Sequence, residues 1–266
     1  MKTRLLTYGL LASTLLLFSD CNKNPTDNSF SVFSIDKDIS LGRQLQEEIA
    51  SNPTDYPVLD EGQYPEAYAH IRRIRDNILD GGQVFYADKF EWEVRIIHDD
   101  AVLNAFAAPG GFIYVYTGLI KFLDNEYELA GVMGHEIAHA DRRHSTDQMT
   151  KQYGLQFMLD AALGNNQGAL SDIATGLVSL SFSRSDEAEA DEYSVIYLCP
   201  TEYRGDGAAI FFEKIEASGG GGTPVFLSTH PSPDSRVENI KAKSVEINCQ
   251  GEVTAGQYAD LISSLP

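Results

Sequence analysis

This chain of 266 residues contains few basic residues and few cysteines, and it has no long apolar run after its first twenty residues. Lysine and arginine number 20 against 39 aspartates and glutamates, which gives a formal net charge of -19. A negative excess of this size repels nucleic acid, so we expect no nucleic-acid partner. Because a span needs about 20 apolar residues, none is expected beyond the N-terminus. Without a repeat or an internal linker, residues 38–266 are expected to form a single domain.

The N-terminal residues 1–20 have the layout of a secretory signal peptide. Lys2 and Arg4 precede an apolar stretch over residues 5–18, which is short for a membrane span, and a buried helix is the alternative. Cys21 then occupies the position of the lipid-carrying cysteine of lipoproteins, although Asp20 replaces the small residue that usually precedes it. We therefore expect an exported, periplasmic protein that meets a membrane, with the outer membrane favoured, only through a lipid anchor on Cys21. Residues 21–37 would form a flexible tether.

The other two cysteines, Cys199 and Cys249, remain as a pair once Cys21 is assigned to lipid. Disulfides persist in exported proteins, so a bridge between the two is expected to close a loop of about fifty residues. On the chain-entropy model such a bridge stabilises the fold by about 4 kcal/mol. Two free buried thiols are the alternative. The spacing of the two cysteines does not fit a zinc site.

A His-Glu-Ile-Ala-His run at residues 135–139 is the pattern with the most specific chemistry. Apolar residues recur at helical spacing from Glu126, so the run is predicted to lie on a helix. Residues four apart lie about 40° apart on one helical face, which lets His135 and His139 bind one zinc ion. Glu136 leaves the helix beside that face. Its carboxylate is therefore placed to take a proton from a water molecule that the ion activates.

The same helix is expected to begin after Asp124 or Asn125 and to continue past His144 towards Leu159. In an unbroken helix His144 lies about 180° from His135 and faces away from the metal, so we do not expect it to be a ligand. A third protein ligand must then come from another part of the chain.

An acidic run over residues 183–191 offers that ligand. Ser185 is predicted to cap a helix on which Glu187 and Asp191, four apart, share one face, while Glu189 points about 200° away from Glu187. A glutamate that coordinates zinc and an aspartate one turn later that orients a histidine ligand would fit this spacing. Taken alone, an acidic run more often indicates a solvated helix face.

The remaining patterns predict a mixture of helices and short strands. Helices are predicted at residues 39–50, 65–79 and 169–181, with a loop at 164–168, and strands at residues 92–97, 104–108 and 112–116. The strands would form a small sheet just before the metal helix. An edge strand there can pair with an extended peptide through main-chain hydrogen bonds, and an ordinary hairpin is the alternative.

Four motifs in this order resemble the gluzincin metallopeptidases of the HtpX, BepA and CAAX-prenyl-protease type, peptidase family M48. They lie at residues 104–119, 135–139, 183–191 and 228–236. The resemblance implies an α+β fold, a mostly helical zincin-like domain with a small β-sheet beside the His-Glu-x-x-His helix. It also implies one Zn²⁺ per chain held by His135, His139 and Glu187, with Glu136 as the general base and Asp191 as the carboxylate that orients a ligand histidine.

The resemblance is strongest to the secreted, periplasmic branch represented by BepA, without that protein's C-terminal repeat region, so no shared partner is carried over. In that branch the histidine of a Thr-His-Pro motif acts as a fourth zinc ligand that keeps the enzyme latent, which implies the same for His230. Gly219 to Gly222 would give the backbone freedom for such a movement. Alternatively, His230 only packs beside a turn made by Pro231 and Pro233.

A closing helix is predicted after Asp234, which would cap it, as far as about Lys243. Arg236 lies on its first turn. Two roles remain open for this arginine: it pins the turn through an ion pair, or it stabilises negative charge near the metal.

These features together predict a zinc metalloendopeptidase of the bacterial cell envelope that hydrolyses extended polypeptides, such as misfolded or unassembled envelope proteins. A chaperone-like binding module, in which His135, His139, Glu187 and His230 hold zinc closed, is one alternative. The base Glu136 speaks against it, because a structural zinc site has no use for that carboxylate. A zinc hydrolase acting on lipid or cell-wall material is another alternative.

Overall fold

The computed structural model describes residues 33–217, 225–232, 235–249, 251 and 257–266. The predicted signal peptide, Cys21 and most of the predicted tether lie outside these residues, as do the glycine run at 219–222, Pro233 and Asp234. In the part of the chain that the structure describes, no helix combines the length and the apolar character that a bilayer span requires.

The described residues form helices around one three-stranded sheet. The helices are α1 (Ile35–Ser51), α2 (Pro65–Asp80), α3 (Thr117–Phe122), α4 (Glu126–Asp141), α5 (His144–Tyr153), α6 (Leu155–Ala162), α7 (Gln167–Leu177), α8 (Arg184–Leu198), α9 (Gly207–Ala217), α10 (Val225–Thr229), α11 (Arg236–Glu246) and α12 (Tyr258–Ser263). The strands are β1 (Val94–Ile97), β2 (Ala105–Ala108) and β3 (Phe112–Tyr116). The predicted mostly helical α+β fold with a small sheet beside the His-Glu-x-x-His helix is confirmed.

The sheet has the order β1-β3-β2, with β3 parallel to β1 and antiparallel to β2. The hairpin between β2 and β3 turns at Gly110 and Gly111, whose φ angles of 77° and 88° favour glycine. Alternate residues of the strands serve two hydrophobic cores: Ile113 and Val115 face the core with α2, α4, α8 and α9, and Tyr114 faces the core with α1, α6 and α7. β2 is therefore an edge strand that lies against α4.

Helix α4 lies at the centre of the domain, and all of its residues are buried. It packs against α8, α9 and β2. Two glycines set the distance to α9: a Cβ on Gly131 would lie 2.1 Å from the Ala208 nitrogen, and a Cβ on Gly207 would lie 2.1 Å from the Tyr127 oxygen. The two helices therefore cross with their backbones in contact.

The folded part begins earlier than residue 38. Helix α1 starts at Ile35 instead of residue 39, and Phe33 is already buried. The buried carboxylate of Asp38 explains this start, because it accepts hydrogen bonds from Arg143 Nε at 2.7 Å and Thr146 Oγ1 at 2.9 Å. Arg143 also donates to the Phe33 carbonyl. The first turn of α1 is thus fastened to the centre of the domain.

The prediction that the metal helix continues past His144 is wrong. Helix α4 ends at Asp141, because Arg143 adopts a left-handed backbone conformation with φ 63°. A new helix, α5, then begins at His144, and Leu159 belongs to α6. The break turns the chain so that His144 no longer faces away from the metal helix.

Smaller differences concern the helix caps. Ser183, not Ser185, caps α8 by accepting a hydrogen bond from the Asp186 nitrogen at 3.2 Å, while the Asp186 carboxylate accepts from the Ser183 nitrogen at 3.1 Å. Helix α7 ends at Leu177 rather than residue 181.

Cys199, at the end of α8, is joined by a disulfide to Cys249, which follows α11, with their Cα atoms 4.9 Å apart.

Candidate metal centre

Four side chains from three parts of the fold converge on one point. His135 and His139 come from α4, Glu187 from α8, and His230 directly follows α10. Glu187 Oε1 lies 3.3 Å from His139 Nε2 and 3.0 Å from His230 Nδ1. One donor atom from each residue lies within 4.8 Å of the others, and all four side chains are buried.

The hydrogen-bonding capacity of this group fits a metal ion. His139 Nε2 faces His135 Nε2 at 3.0 Å, and His135 Nε2 faces His230 Nδ1 at 3.4 Å. Two facing ring nitrogens can share only one hydrogen between them, so three that converge cannot all be satisfied by each other. An ion that takes a lone pair from each nitrogen removes this conflict. Imidazole nitrogens with one carboxylate are the donor set that zinc prefers.

Burial and neighbouring charges set the protonation of the group. Burial lowers the pKa of His139 well below its usual value, which keeps the ring neutral. Burial would raise the pKa of Glu187, but His230 and the hydrogen bonds from the histidines hold it well below its usual range. Burial also raises the pKa of Glu136. The centre therefore combines an ionised carboxylate and a neutral imidazole with a second carboxyl group that binds a proton more readily.

Glu136 lies beside the converging donor atoms. His230 Nε2 is 3.5 Å from Glu136 Oε1. Neither oxygen of this buried carboxylate has a hydrogen-bond partner among the described residues. An unpartnered carboxylate in this place has its full capacity to accept a proton.

A second carboxylate and an arginine hold the donors in place. Asp191 Oδ1 faces His135 Nδ1 at 3.0 Å, on the side of the ring away from the other donors. Arg236 Nε donates to Asp191 Oδ2 at 2.7 Å, and Arg236 Nη2 donates to Glu187 Oε2 at 2.6 Å. These ion pairs tie the first turn of α11 to α8 and also place a positive charge beside the carboxylates of the centre, so both roles considered for Arg236 remain open.

His144 contacts a residue of this centre and Glu189 contacts His144, although their positions on unbroken helices predict that both face away from it. His144 Nδ1 lies 3.1 Å from His139 Nδ1, and His144 Nε2 lies 3.4 Å from Glu189 Oε2. Arg142 Nε donates to Glu189 Oε1 at 2.8 Å. A helical projection could not have found this contact, because it depends on the left-handed conformation of Arg143.

Two phenylalanine rings form the walls of the centre. Phe182 stacks on His139 with ring centroids 3.9 Å apart, and Phe226 stacks on His230 with centroids 4.2 Å apart. Both rings exclude water from the faces of the imidazoles. Phe182 and Phe226 thus cover one imidazole each of the buried donor group.

Helix α10 closes the centre by bridging two parts of the fold. The Phe226 nitrogen donates to the Leu103 carbonyl, just before β2, at 3.1 Å. The Phe182 nitrogen donates to the Thr229 carbonyl at 3.2 Å. Helix α10 therefore lies between the start of the edge strand and the segment before α8.

The edge of β2 that faces away from β3 is buried in this structure, with Ala105 0% and Ala107 1% exposed, and carries a short set of main-chain groups. Tyr116 N donates to the Asn104 carbonyl at 3.1 Å, so by alternation Ala105 and Ala107 direct their backbone groups away from β3. Ser145 Oγ occupies the Ala107 carbonyl at 2.6 Å. Within the described residues, the Ala105 and Ala107 N–H groups donate to no other element, and the Ala105 carbonyl accepts from none.

Comparison with known proteins identifies the family. The sequence profile of peptidase family M48 matches residues 66–244, which include every residue of the centre described above. The chain belongs to peptidase family M48. The resemblance drawn from the four motifs is thereby confirmed. Peptidases of family M48 use zinc, and the group of three histidines and one glutamate could hold one such ion.

Three relatives illustrate the extent of the similarity of this M48 chain. The mitochondrial metalloendopeptidase OMA1 of Arabidopsis thaliana is 34% identical over 167 residues, which cover 60% of this chain and 33% of the relative. The metalloprotease YcaL of Escherichia coli is 29% identical over 185 residues, 67% and 69% of the two chains. The beta-barrel assembly-enhancing protease of Escherichia coli is 30% identical over 164 residues, 56% and 34%. The M48 chain thus spans a third of two of these relatives and about two thirds of the other.

Proposed function

We propose that this protein is a zinc endopeptidase in which His135, His139 and Glu187 hold the ion and Glu136 carries the proton. The observation that supports this most directly is the convergence of three buried donor atoms beside an unpartnered buried carboxylate. Membership of peptidase family M48 agrees with it.

The chemistry divides between the ion and the protein. Bound zinc polarises a peptide carbonyl and makes a water molecule more acidic. Glu136 would take a proton from the water molecule whose oxygen attacks the peptide carbonyl carbon, because its two oxygens have no competing hydrogen-bond partner among the described residues. Burial raises the pKa of Glu136, so the carboxyl group can hold the proton and then pass it to the leaving amine.

The substrate is an extended polypeptide that pairs with the edge strand β2. Three outward main-chain groups, on Ala105 and Ala107, can form hydrogen bonds with one strand of substrate. The carbonyls at either end, of Leu103 and Ala107, already accept hydrogen bonds from Phe226 and Ser145. Recognition through main-chain groups demands little of the substrate's side chains. This suits misfolded or unassembled polypeptides of the cell envelope better than one particular folded protein.

Peptides methylated at backbone nitrogens test this pairing. In antiparallel or parallel pairing, only alternate substrate residues turn their N–H towards β2. Methylation of those residues should abolish cleavage, while methylation of their neighbours should leave it nearly unchanged. Equal inhibition by every methylated peptide would contradict strand pairing at β2.

His230 keeps the enzyme latent in this proposal. Its Nδ1 lies 3.0 Å from Glu187 Oε1, among the other donor atoms, so His230 would hold a bound ion as a fourth ligand in place of water. His135, Glu136 and Glu187 are completely buried, so a polypeptide needs α10 to move before it can reach them. We place the enzyme in the bacterial envelope, which its similarity to the beta-barrel assembly-enhancing protease of Escherichia coli supports. A lipid anchor on Cys21 is part of the same proposal and rests on the sequence pattern alone.

Zinc content and casein cleavage, measured on three variants, test the proposal. Glu136→Gln should keep its zinc and lose activity by about 10²-fold or more, because only the proton carrier is removed. His230→Ala should keep zinc on three ligands and cleave faster than wild type. His98→Ala, at an exposed histidine, is the control and should match wild type. Full activity of Glu136→Gln would exclude the assigned role.

The closed set of four donors favours a second candidate, a zinc-stabilised, chaperone-like binding module without catalysis. A structural zinc site has four protein ligands and no open position. Absence of cleavage by both the wild type and His230→Ala, with zinc bound, would decide for this module. Cleavage by either protein would exclude it.

A further inference from the structure

His144 contacts a metal-centre residue on the side that the proposed chemistry does not use. Its side chain is 6% exposed, and its Nδ1 lies 3.1 Å from Nδ1 of His139. We propose that His144 is a positioning residue, which fixes the tautomer and the orientation of His139 through a relay that ends at Glu189. This inference rests on the proposed zinc site.

The first step concerns the hydrogen on His139. Its Nε2 faces His135 Nε2 at 3.0 Å and Glu187 Oε1 at 3.3 Å, so Nε2 is the nitrogen that turns to the ion. A nitrogen that binds a metal must present a lone pair, and a neutral imidazole then carries its hydrogen on the other nitrogen. The hydrogen of His139 is therefore on Nδ1, and this N–H points at His144.

The second step follows through His144. Because His139 Nδ1 donates, His144 Nδ1 must accept, and a neutral His144 then carries its hydrogen on Nε2. That nitrogen lies 3.4 Å from Glu189 Oε2, whose carboxylate can accept. Arg142 Nε donates to the other oxygen of Glu189 at 2.8 Å and keeps the carboxylate in place. Both hydrogen bonds of the relay therefore run in the same donor-to-acceptor direction, from His139 to His144 and from His144 to Glu189.

The third step concerns orientation. The stacked ring of Phe182, 3.9 Å away between centroids, fixes the plane of the His139 imidazole. Stacking alone does not decide which edge of the ring faces the ion. The hydrogen bond to His144 makes that choice, because it is satisfied only when Nδ1 points away from the other donors.

The two α4 histidines are therefore supported differently. His135 Nδ1 faces a carboxylate directly, that of Asp191 at 3.0 Å. His139 Nδ1 faces the neutral imidazole of His144 instead. The carboxylate of Glu189 lies on the far side of His144 and contacts that ring, not His139. Removing the hydrogen-bond partner of a metal-ligating histidine typically weakens metal binding by about 10-fold to 100-fold.

Three substitutions separate positioning from packing. His144→Phe keeps a ring but removes the acceptor, whereas His144→Asn places an amide oxygen about where Nδ1 stands. His98→Phe, at an exposed histidine, is the control. The zinc dissociation constant, measured at equilibrium against a chromophoric chelator, should rise by about 10-fold to 100-fold in His144→Phe and by less than about threefold in the other two variants.

A second readout does not depend on the variants folding. Long-range ¹H–¹⁵N NMR spectra of the zinc-loaded wild type should show His139 with its hydrogen on Nδ1 and His144 with its hydrogen on Nε2. A hydrogen on Nδ1 of His144 would overturn the relay, as would wild-type zinc affinity in His144→Phe. A wild type that binds no zinc would overturn the proposed function as well, whereas zinc binding without cleavage would leave the relay intact.

Discussion

Arg236 Nη2 donates to Glu187 Oε2 at 2.6 Å, and both side chains are almost completely shielded from water. The same guanidinium holds Asp191 through bonds of 2.7 Å and 2.9 Å. One cation thus compensates two buried carboxylates, one that would bind the ion and one that faces a ligand histidine. Removing a buried partner leaves an uncompensated charge, which costs far more than losing an exposed pair.

We therefore expect Arg236→Met to lower the free energy of unfolding of the zinc-free protein by about 3–5 kcal/mol. Lys241→Met is the matched control, because Lys241 and its partner Glu213 are 43% and 46% exposed, and its cost should stay below about 1 kcal/mol. Urea unfolding in excess chelator measures both. Similar losses in the two variants would contradict a special role for the buried arginine.

Two glycines of α4 should respond in opposite directions to the same substitution. A Cβ on Gly131 would meet the Ala208 nitrogen at 2.1 Å, so Gly131→Ala should force α9 away and destabilise by about 1–3 kcal/mol. The nearest atoms to a Cβ on Gly134 lie at 3.5 Å or more, so Gly134→Ala should stabilise by up to about 1 kcal/mol through helix propensity. Thermal unfolding of the zinc-free variants gives the sign of each change in stability. Destabilisation by Gly134→Ala would show that α8 lies closer to Gly134 than in this structure.

The pH dependence of stability should carry a contribution from Asp38. Burial raises the pKa of Asp38 from 3.8 to about 6, although Arg143 and Thr146 oppose the shift. A raised pKa means that the contribution is fully present below about pH 4 and is lost as the pH rises through 6. The wild type should therefore lose up to about 3 kcal/mol relative to Asp38→Asn between pH 4 and 7. If the wild type instead gained stability relative to Asp38→Asn as the pH rises, the ion pair with Arg143 would outweigh the effect of burial.

The disulfide between Cys199 and Cys249 should stabilise the fold in an oxidising buffer. It closes a loop of about fifty residues, so replacing both cysteines by serine should cost about 2–5 kcal/mol. Reductant should lower the unfolding temperature of the wild type to that of the double variant. The double variant itself should not respond to reductant.

Local pattern predicted most of the elements and the donors on them. His135, His139 and Glu187 were found because helical spacing of four residues does not depend on the rest of the fold. The patterns over residues 39–50 and 65–79 likewise predicted helices α1 and α2.

Contacts that depend on tertiary structure were missed. Arg143 has a left-handed conformation that no local propensity favours for arginine, and its side chain bonds to the buried Asp38, 105 positions earlier in the chain. With α4 drawn as unbroken, His144 was placed on the wrong side. The bond from Arg236 to Glu187 spans 49 positions and could be given only as one of two roles.

The complete burial of His135, His139, Glu187 and His230 also governs how quickly an ion can leave. If α10 has to move to open the centre, as proposed above, a chelator can remove a bound ion only after that movement. The extraction rate should therefore level off at high chelator concentration, at a plateau equal to the opening rate of that helix. The plateau, read from the absorbance of the chelator, would then give the rate of the movement that is proposed to admit substrate.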